Sequence, residues 1–199
     1  MIDGLVIFFK SPKLGEVKTR LASSVGDKKA LEIYRVLVAR TKAIVEEWQM
    51  NSPSHRRIIP WGSGDRQGFC DVGFDQAKQQ LGSDLGVRME RSMREALRQC
   101  DRVAIIGVDC PRIEVSDLEL AFKDMGNQEV RLGPCPDGGY WLMSCSSLPP
   151  GCLVQLPWSH SETRQRVASR LEGYGRKLSL LRELGDVDVE EDLKGLTIF

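Results

Sequence analysis

The stretch Arg102–Ile113, RVAIIGVDCPRI, decides the fold class. Val103, Ala104, Ile105 and Ile106 form a short apolar run without charge, which suits a strand buried on both faces of a parallel sheet. Gly107 ends the run and Asp109 follows it. Pro111 has no N–H to continue a ladder, so the strand stops there. A lone carboxylate therefore stands where a buried strand surfaces. Open α/β sheets bind ligands at the carboxyl ends of their strands. A carboxylate at that place suits a hard cation, Mg²⁺ or Mn²⁺, that also holds phosphate. The same residue could instead cap the turn that follows.

Working outward, Asp3–Phe9 (DGLVIFF) reads as a first buried strand, broken by a loop with proline and glycine punctuation at Lys10–Gly15. A helix start follows at Glu16–Ala22. Strand, basic glycine-containing loop and helix start form a layout that gathers backbone N–H groups and cations onto an anion. Lys10, Lys13, Lys18 and Arg20 supply the cations. The competing reading is a solvated basic loop. A P-loop is excluded, because Val17 stands where glycine must precede the Lys-Thr pair, and no G-x-G-x-x-G follows the strand.

Lys28–Trp48 carries apolar residues at helical spacing, with Asp27 as its expected cap. Arg57–Trp61 reads as a strand whose Pro60 marks an end or an edge. The order is βαβ, hence a parallel sheet with a right-handed crossover. Phe69–Gly86 has no clear pattern. The loop Gly82–Gly86 feeds an expected helix at Val87–Cys100; it could approach a base or ribose, or be a plain cap made by Ser83 or Asp84. Ser116–Met125 reads as a helix with a capping box of Ser116 and Glu119. After a strand at Glu129–Leu132, the run GPCPDGGYWLM (Gly133–Met143) makes a rigid turn whose glycines bare N–H groups to a ligand. A tight hairpin explains the same glycines. Glu162–Leu171 reads as a helix capped by Ser161, and Lys177–Leu181 as a late strand. In Gly185–Leu193 acidic residues gather at a strand end. They either favour a helix N-terminus or supply a second metal carboxylate from Asp186 or Asp188.

At 199 residues one domain, 1–199, is expected. Hydrophobic residues are 41% and charged residues 28%, with zero net charge, which argues against a nucleic-acid-binding domain and a polybasic membrane surface. No apolar run reaches the length of a membrane span and no signal peptide is read at the start. The six cysteines form no C-x-x-C and the two histidines lie far apart, so a zinc site is not expected. Free thiols in a reducing cytoplasm are.

The segments FFKSPKLGEVKTRLA, GSDLGVRM, IIGVDCPRI, LGPCPDGGYWL, PWS and DVDVEEDL, in this order, resemble a bacterial family called DUF2064 or selenodomain-associated transferases. Its members are assigned as glycosyltransferases, some in arsenosugar biosynthesis. The family belongs to the GT-A, nucleotide-diphospho-sugar transferase superfamily, which also holds nucleotidyltransferases; VKTRLA is similar to a segment of the phospholactate guanylyltransferases. The resemblance implies a three-layer α/β/α fold of GT-A type with a mostly parallel, mixed central sheet. It implies phosphate contacts from Lys10, Lys18 and Arg20, and a metal on Asp109 that Asp188 completes. Asp84 and Arg88 would lie near base or ribose. Asp137, Gly138, Gly139 and Tyr140 would face the transferred group or acceptor, with Asp109, Asp137 and Tyr140 as the catalytic set. Trp158 would stack on a sugar. Val108 departs from the small hydroxyl residue of the family pattern, and Ser83 from its glycine. The implied activity is glycosyl transfer from a nucleotide-sugar to a small-molecule acceptor with Mg²⁺ or Mn²⁺. The alternatives are nucleotidyl transfer from an NTP to a phosphorylated or carboxylated acceptor, and a binding module without chemistry.

Overall fold

A computed structural model describes residues 1–196; positions 197–199 of the expected domain lie outside the described residues. The chain runs β1 (Asp3–Lys10), α1 (Thr19–Val25), α2 (Asp27–Met50), β2 (Arg56–Ser63), α3 (Arg66–Asp71), β3 (Lys78–Gln79) and α4 (Leu85–Ala96). It continues through β4 (Arg102–Ile106), α5 (Val115–Phe122), β5 (Glu129–Pro134), β6 (Tyr140–Cys145), α6 (Thr163–Gly173) and β7 (Lys177–Leu180) to a 3-10 turn at Glu190–Leu193. The strands of the described residues join one seven-stranded sheet in the order β3-β2-β1-β4-β6-β5-β7. Only β6 runs against its neighbours, β4 and β5; the other pairings are parallel.

Alternation along the strands builds the layers. Leu5, Ile7, Phe9, Ala104, Ile106 and Leu142 face α2 and α5, where Tyr34, Val38, Val45, Trp48, Leu118 and Phe122 close one core. Val6, Val103, Ile105, Val130, Leu132 and Met143 face α4 and α6, where Met89, Met93, Val167 and Leu171 close the other. This is the expected α/β/α sandwich with a mostly parallel mixed sheet. No helix among the described residues is long and apolar enough to cross a membrane.

Several boundaries differ from the sequence expectation, each for a local reason. Asp27 is the first residue of α2, and Gly26 stands at the cap. At α5 the cap lies two residues before Ser116: the Glu114 N–H donates to Asp117 Oδ2 at 2.8 Å, and Arg182 fixes the Asp117 carboxylate with bonds of 2.6 and 2.7 Å. The start of α6 is held by Thr163, not Ser161: its hydroxyl donates to Pro157 O and accepts from the His160 N–H. Pro60 lies inside β2, but β3 covers β2 only at Trp61 and Gly62. The Gly62 carbonyl accepts from Gln80, on the β3 side. Backbone groups two residues apart point the same way, so the N–H that proline lacks would have met no strand.

Candidate functional site

The carboxyl ends of β1, β2, β4 and β5 share one edge of the sheet, and β6 begins there. At the end of β1, Tyr34 of α2 donates its hydroxyl to Lys10 O (2.9 Å) and accepts from the Lys10 N–H (2.7 Å). Burial pushes that phenol above its ordinary range. The bridge fixes the backbone from which the basic loop departs. The Lys10 side chain is exposed. Lys18, the cap of α1, has a left-handed backbone (φ 48, ψ 42), a conformation that costs energy for a side chain larger than glycine.

Lys18 turns inward, its side chain only 6% exposed. Its Nζ lies 2.5 Å from Asp109 Oδ1 and 3.2 Å from Asp188 Oδ1. Burial opposes its charge, but the two carboxylates outweigh burial and hold the ammonium above its ordinary range. Arg20 reaches Asp188 Oδ2 at 3.2 Å and is 74% exposed. One residue brings the last segment to this place. The Val187 N–H donates to Asp109 O at 2.9 Å, and its side chain is buried against Leu21, Ala30, Ile33 and Leu37 of α1 and α2. Asp186 and Asp188 flank it. Burial, then the neighbouring Asp109, Asp188 and Asp137, push the Asp186 carboxyl up to about 7 against the pull of Lys18. The helix-capping role foreseen for these acids belongs to Asp192, which accepts from the Asp188 and Val189 N–H groups at 2.8 Å.

The turn between β5 and β6 reaches the same cluster. Cys135 Sγ lies 3.7 Å from Asp186 Oδ2, and burial raises its thiol pKa, so this cysteine is an inert thiol. Asp137 is exposed, and its Oδ1 accepts from the Gly139 N–H at 2.8 Å. Gly138 has φ 87, and a Cβ there would stand 1.8 Å from Ser161 O. The Gly138 carbonyl accepts from the Arg164 N–H at 2.9 Å. The turn is thus clamped to the start of α6.

A second group lies on the α4 side. Tyr140 and Trp158 meet edge to face at 6.4 Å. The Tyr140 hydroxyl is 4.0 Å from Met89 Sδ, and burial raises its pKa. The phenol thus packs between Met89 and Trp158. Trp158 also lies where a Cβ on Gly86 would stand, 2.7 Å away, and its buried Nε1 has no hydrogen-bond partner among the described residues. Asp84 caps α4, accepting from the Val87 N–H at 3.0 Å, and Arg88 Nε donates to Gly82 O at 3.0 Å. Among the described residues no hydrogen bond or ion pair joins Asp84, Arg88 or Trp158 to the Lys18–Asp109 cluster. A cavity of about 910 Å³ lies apart, between Gln155–Pro157 and the α6 residues Arg166 and Arg170; it contains none of the expected site residues.

Tyr34 and Glu90 were missed by sequence reasoning. Tyr34 falls in the apolar stripe of α2 and reads as core. Glu90 on α4 is buried and accepts from the Gly151 and Leu153 N–H groups at 2.7 and 3.1 Å. An acid beside Met89 and Met93 in the buried stripe is a signal that could have found it.

A family model described as an uncharacterized protein conserved in bacteria (DUF2064) matches residues 60–160. The chain belongs to the DUF2064 family. Among solved structures, the DUF2064 chain is similar to a provisionally assigned nucleotide-diphospho-sugar transferase from Desulfovibrio desulfuricans G20. That match has TM-score 0.84 and 26% identity, covering 99% of this chain and 90% of that one. Rv0371c from Mycobacterium tuberculosis H37Rv in complex with manganese matches at TM-score 0.58 and 14% identity, covering 98% and 97%. The inositol-1-phosphate CTP transferase from T. maritima matches at TM-score 0.53 and 13% identity, covering 98% and 92%. The last two show a shared fold. No curated protein matches the sequence.

A group of three or more histidine, cysteine or acidic side chains already arranged to hold a metal is absent among the described residues. The donor set is nonetheless all hard oxygen, from Asp109, Asp186 and Asp188. Asp186 lies near enough to Asp109 and Asp188 for their charges to add to burial in raising its pKa, so three carboxyl groups stand close together. A hard divalent cation fits such a set.

Proposed function

We propose that this DUF2064 protein is a glycosyltransferase that takes a nucleotide-sugar donor, with Mg²⁺ or Mn²⁺ held by Asp109 and Asp188. The observation that carries the reading is the Lys18–Asp109–Asp188 cluster at the carboxyl ends of β1 and β4. It places cations and carboxylates side by side, as a phosphate-bound metal requires. The metal would supply charge neutralisation to the departing nucleoside diphosphate. Lys18, Arg20 and Lys10 would bind the phosphate oxygens. Asp84 and Arg88 at the start of α4 would meet base or ribose. The Gly138–Gly139 turn, clamped on Ser161 and Arg164, would hold the acceptor side in place. Asp137 Oδ1 is engaged with the Gly139 N–H, which leaves Oδ2 to take a proton from an acceptor hydroxyl. Tyr140 and Trp158 would present aromatic surface to a sugar and exclude water. The likeness to the Desulfovibrio protein supports a transferase of nucleotide-sugars.

The test is a thermal-shift panel of nucleoside diphosphates, nucleotide-sugars and triphosphates, each with and without Mn²⁺. A ligand at a hundred times its dissociation constant adds about 2.7 kcal/mol. At about 2–4 °C per kcal/mol for a chain of this size, the melting temperature should rise by about 5–10 °C. A Mn²⁺-dependent rise with a diphosphate or its sugar conjugate, lost in Asp109→Ala, is the expected result. A rise confined to triphosphates would replace this reading with nucleotidyl transfer. No rise with any nucleotide would refute both.

A further inference from the structure

Lys18 is turned away from solvent onto the two carboxylates that a metal would use, with its side chain 6% exposed. A divalent cation and an ammonium 2.5 Å from Asp109 Oδ1 cannot share that oxygen without facing each other's charge at close range. The ion pairs match Asp109 and Asp188 against Lys18 and Arg20, with the Asp186 carboxyl buried beside them. A metal arriving alone would meet carboxylates already neutralised. A diphosphate arriving alone would meet cations already committed. Arriving together, they exchange partners: the phosphate takes the ammonium, and the carboxylates take the metal. The backbone of Lys18 is fixed at the cap of α1, so the exchange needs only a pivot of a flexible four-carbon stem.

We infer that Lys18 is an internal counter-ion that keeps Asp109 and Asp188 assembled, holds metal affinity down until nucleotide is present, and so makes metal and nucleotide bind cooperatively. The inference rests on the proposed metal role of Asp109 and Asp188. It predicts the opposite sign from a purely structural role. If Lys18 only anchored the segment at 186–188, removing it would scatter the carboxylates and weaken metal binding. As a competitor, its removal strengthens metal binding.

The experiment measures free Mn²⁺ by electron paramagnetic resonance during titration of wild type and Lys18→Met, without nucleotide. Lys18→Met should bind Mn²⁺ about tenfold tighter or more, the order of one charge-assisted hydrogen bond removed from competition. Wild type should reach comparable affinity only with UDP, GDP, CDP or ADP present, with the ion held by the free nucleotide subtracted. By linkage the nucleotide should also bind more tightly with Mn²⁺. If Lys18→Met does not fold, Lys18→Gln is measured in its place with the same sign expected. Equal or weaker Mn²⁺ binding by the variant, with wild type binding Mn²⁺ in the presence of nucleotide, overturns the inference and leaves the metal reading standing. No Mn²⁺ binding by any form, alone or with nucleotide, overturns the metal reading and the inference with it.

Discussion

Replacing Gly138 with alanine should destabilise the protein by an amount that the geometry sets. The residue has φ 87, where a Cβ costs about 1 kcal/mol. The new methyl group would stand 1.8 Å from Ser161 O and 2.4 Å from its carbonyl carbon. Both are backbone atoms at the approach to α6, so no side-chain rotation relieves the overlap. The β5–β6 turn or the approach to α6 must move, and shifts of that kind cost about 1–3 kcal/mol. The expected loss is about 2–4 kcal/mol, a fall in melting temperature of about 5–15 °C for a chain of this length. The neighbouring Gly139→Ala is the control. The three atoms nearest its Cβ would all belong to the Asp137 carboxylate, Oδ1 first at 3.1 Å, the end of a side chain that can yield; its loss should stay within about 1 kcal/mol. Urea denaturation of both variants, with m-values compared, decides the matter. Equal losses, or a Gly138→Ala loss below about 1 kcal/mol, would refute the clamp between turn and helix.

Other consequences follow from carboxylates that accept several hydrogen bonds. Glu129 accepts from Arg131, Ser179 and the Gly126 N–H, and Arg131 above all pulls its pKa down to about 2. A depressed carboxylate contributes stability that is full above its unfolded value and is lost as pH falls from about 4.5 toward 2. Glu129→Gln should therefore cost on the order of 1–2 kcal/mol at pH 6, discounted for solvent screening, and much less at pH 2.5; an equal urea-midpoint gap at both values would refute it. Glu90→Gln should cost about 1–3 kcal/mol and speed proteolytic cleavage within residues 148–157, since the carboxylate holds the Gly151 and Leu153 N–H groups. Unchanged cleavage would return that loop to self-sufficiency.

The central strands were readable because burial on both faces leaves an uninterrupted apolar run, as in Val103–Ile106 and Leu5–Ile7. Lys18, Asp109 and Asp188 were readable as charged candidates, Lys18 for phosphate and the two aspartates for a metal, but their direct pairing was not. That Lys18 turns inward was not readable either, because it depends on Val187 docking against α1 and α2 from 169 residues away in sequence. The two-residue β3 carries no periodicity; Lys78 and Gln79 are both exposed and pair only with Trp61 and Gly62. Helix caps were misread at Asp27, Ser116 and Ser161 because several residues nearby could cap. Tertiary partners such as Arg182 on Asp117 chose among them. Trp158 was expected to stack on a sugar; its seat against Gly86 follows from a backbone approach that no local pattern records.

The end of β1 is bolted from several sides. Tyr34 bridges Lys10, Ser11 donates to Ser63 O and Asp65 O, Lys13 pairs with Asp65 at 2.8 Å, and Gln80 donates to Phe9 O and Trp61 O. The segment 148–157 on the other flank is held by Glu90 of α4, by Arg170 and Thr163 of α6, which donate to Gly151 O, Val154 O and Pro157 O, and by the buried side chains of Leu148, Cys152 and Leu153. Inserted or deleted residues in the first region would break bonds among three elements at once; in the second they would cost least at the exposed positions between the anchors, Pro150 and Gln155. Both flanks of the sheet edge are thus pinned at closely spaced points, which leaves a change of side chain as the easier way to alter this face of the molecule and a change of chain length as the harder one.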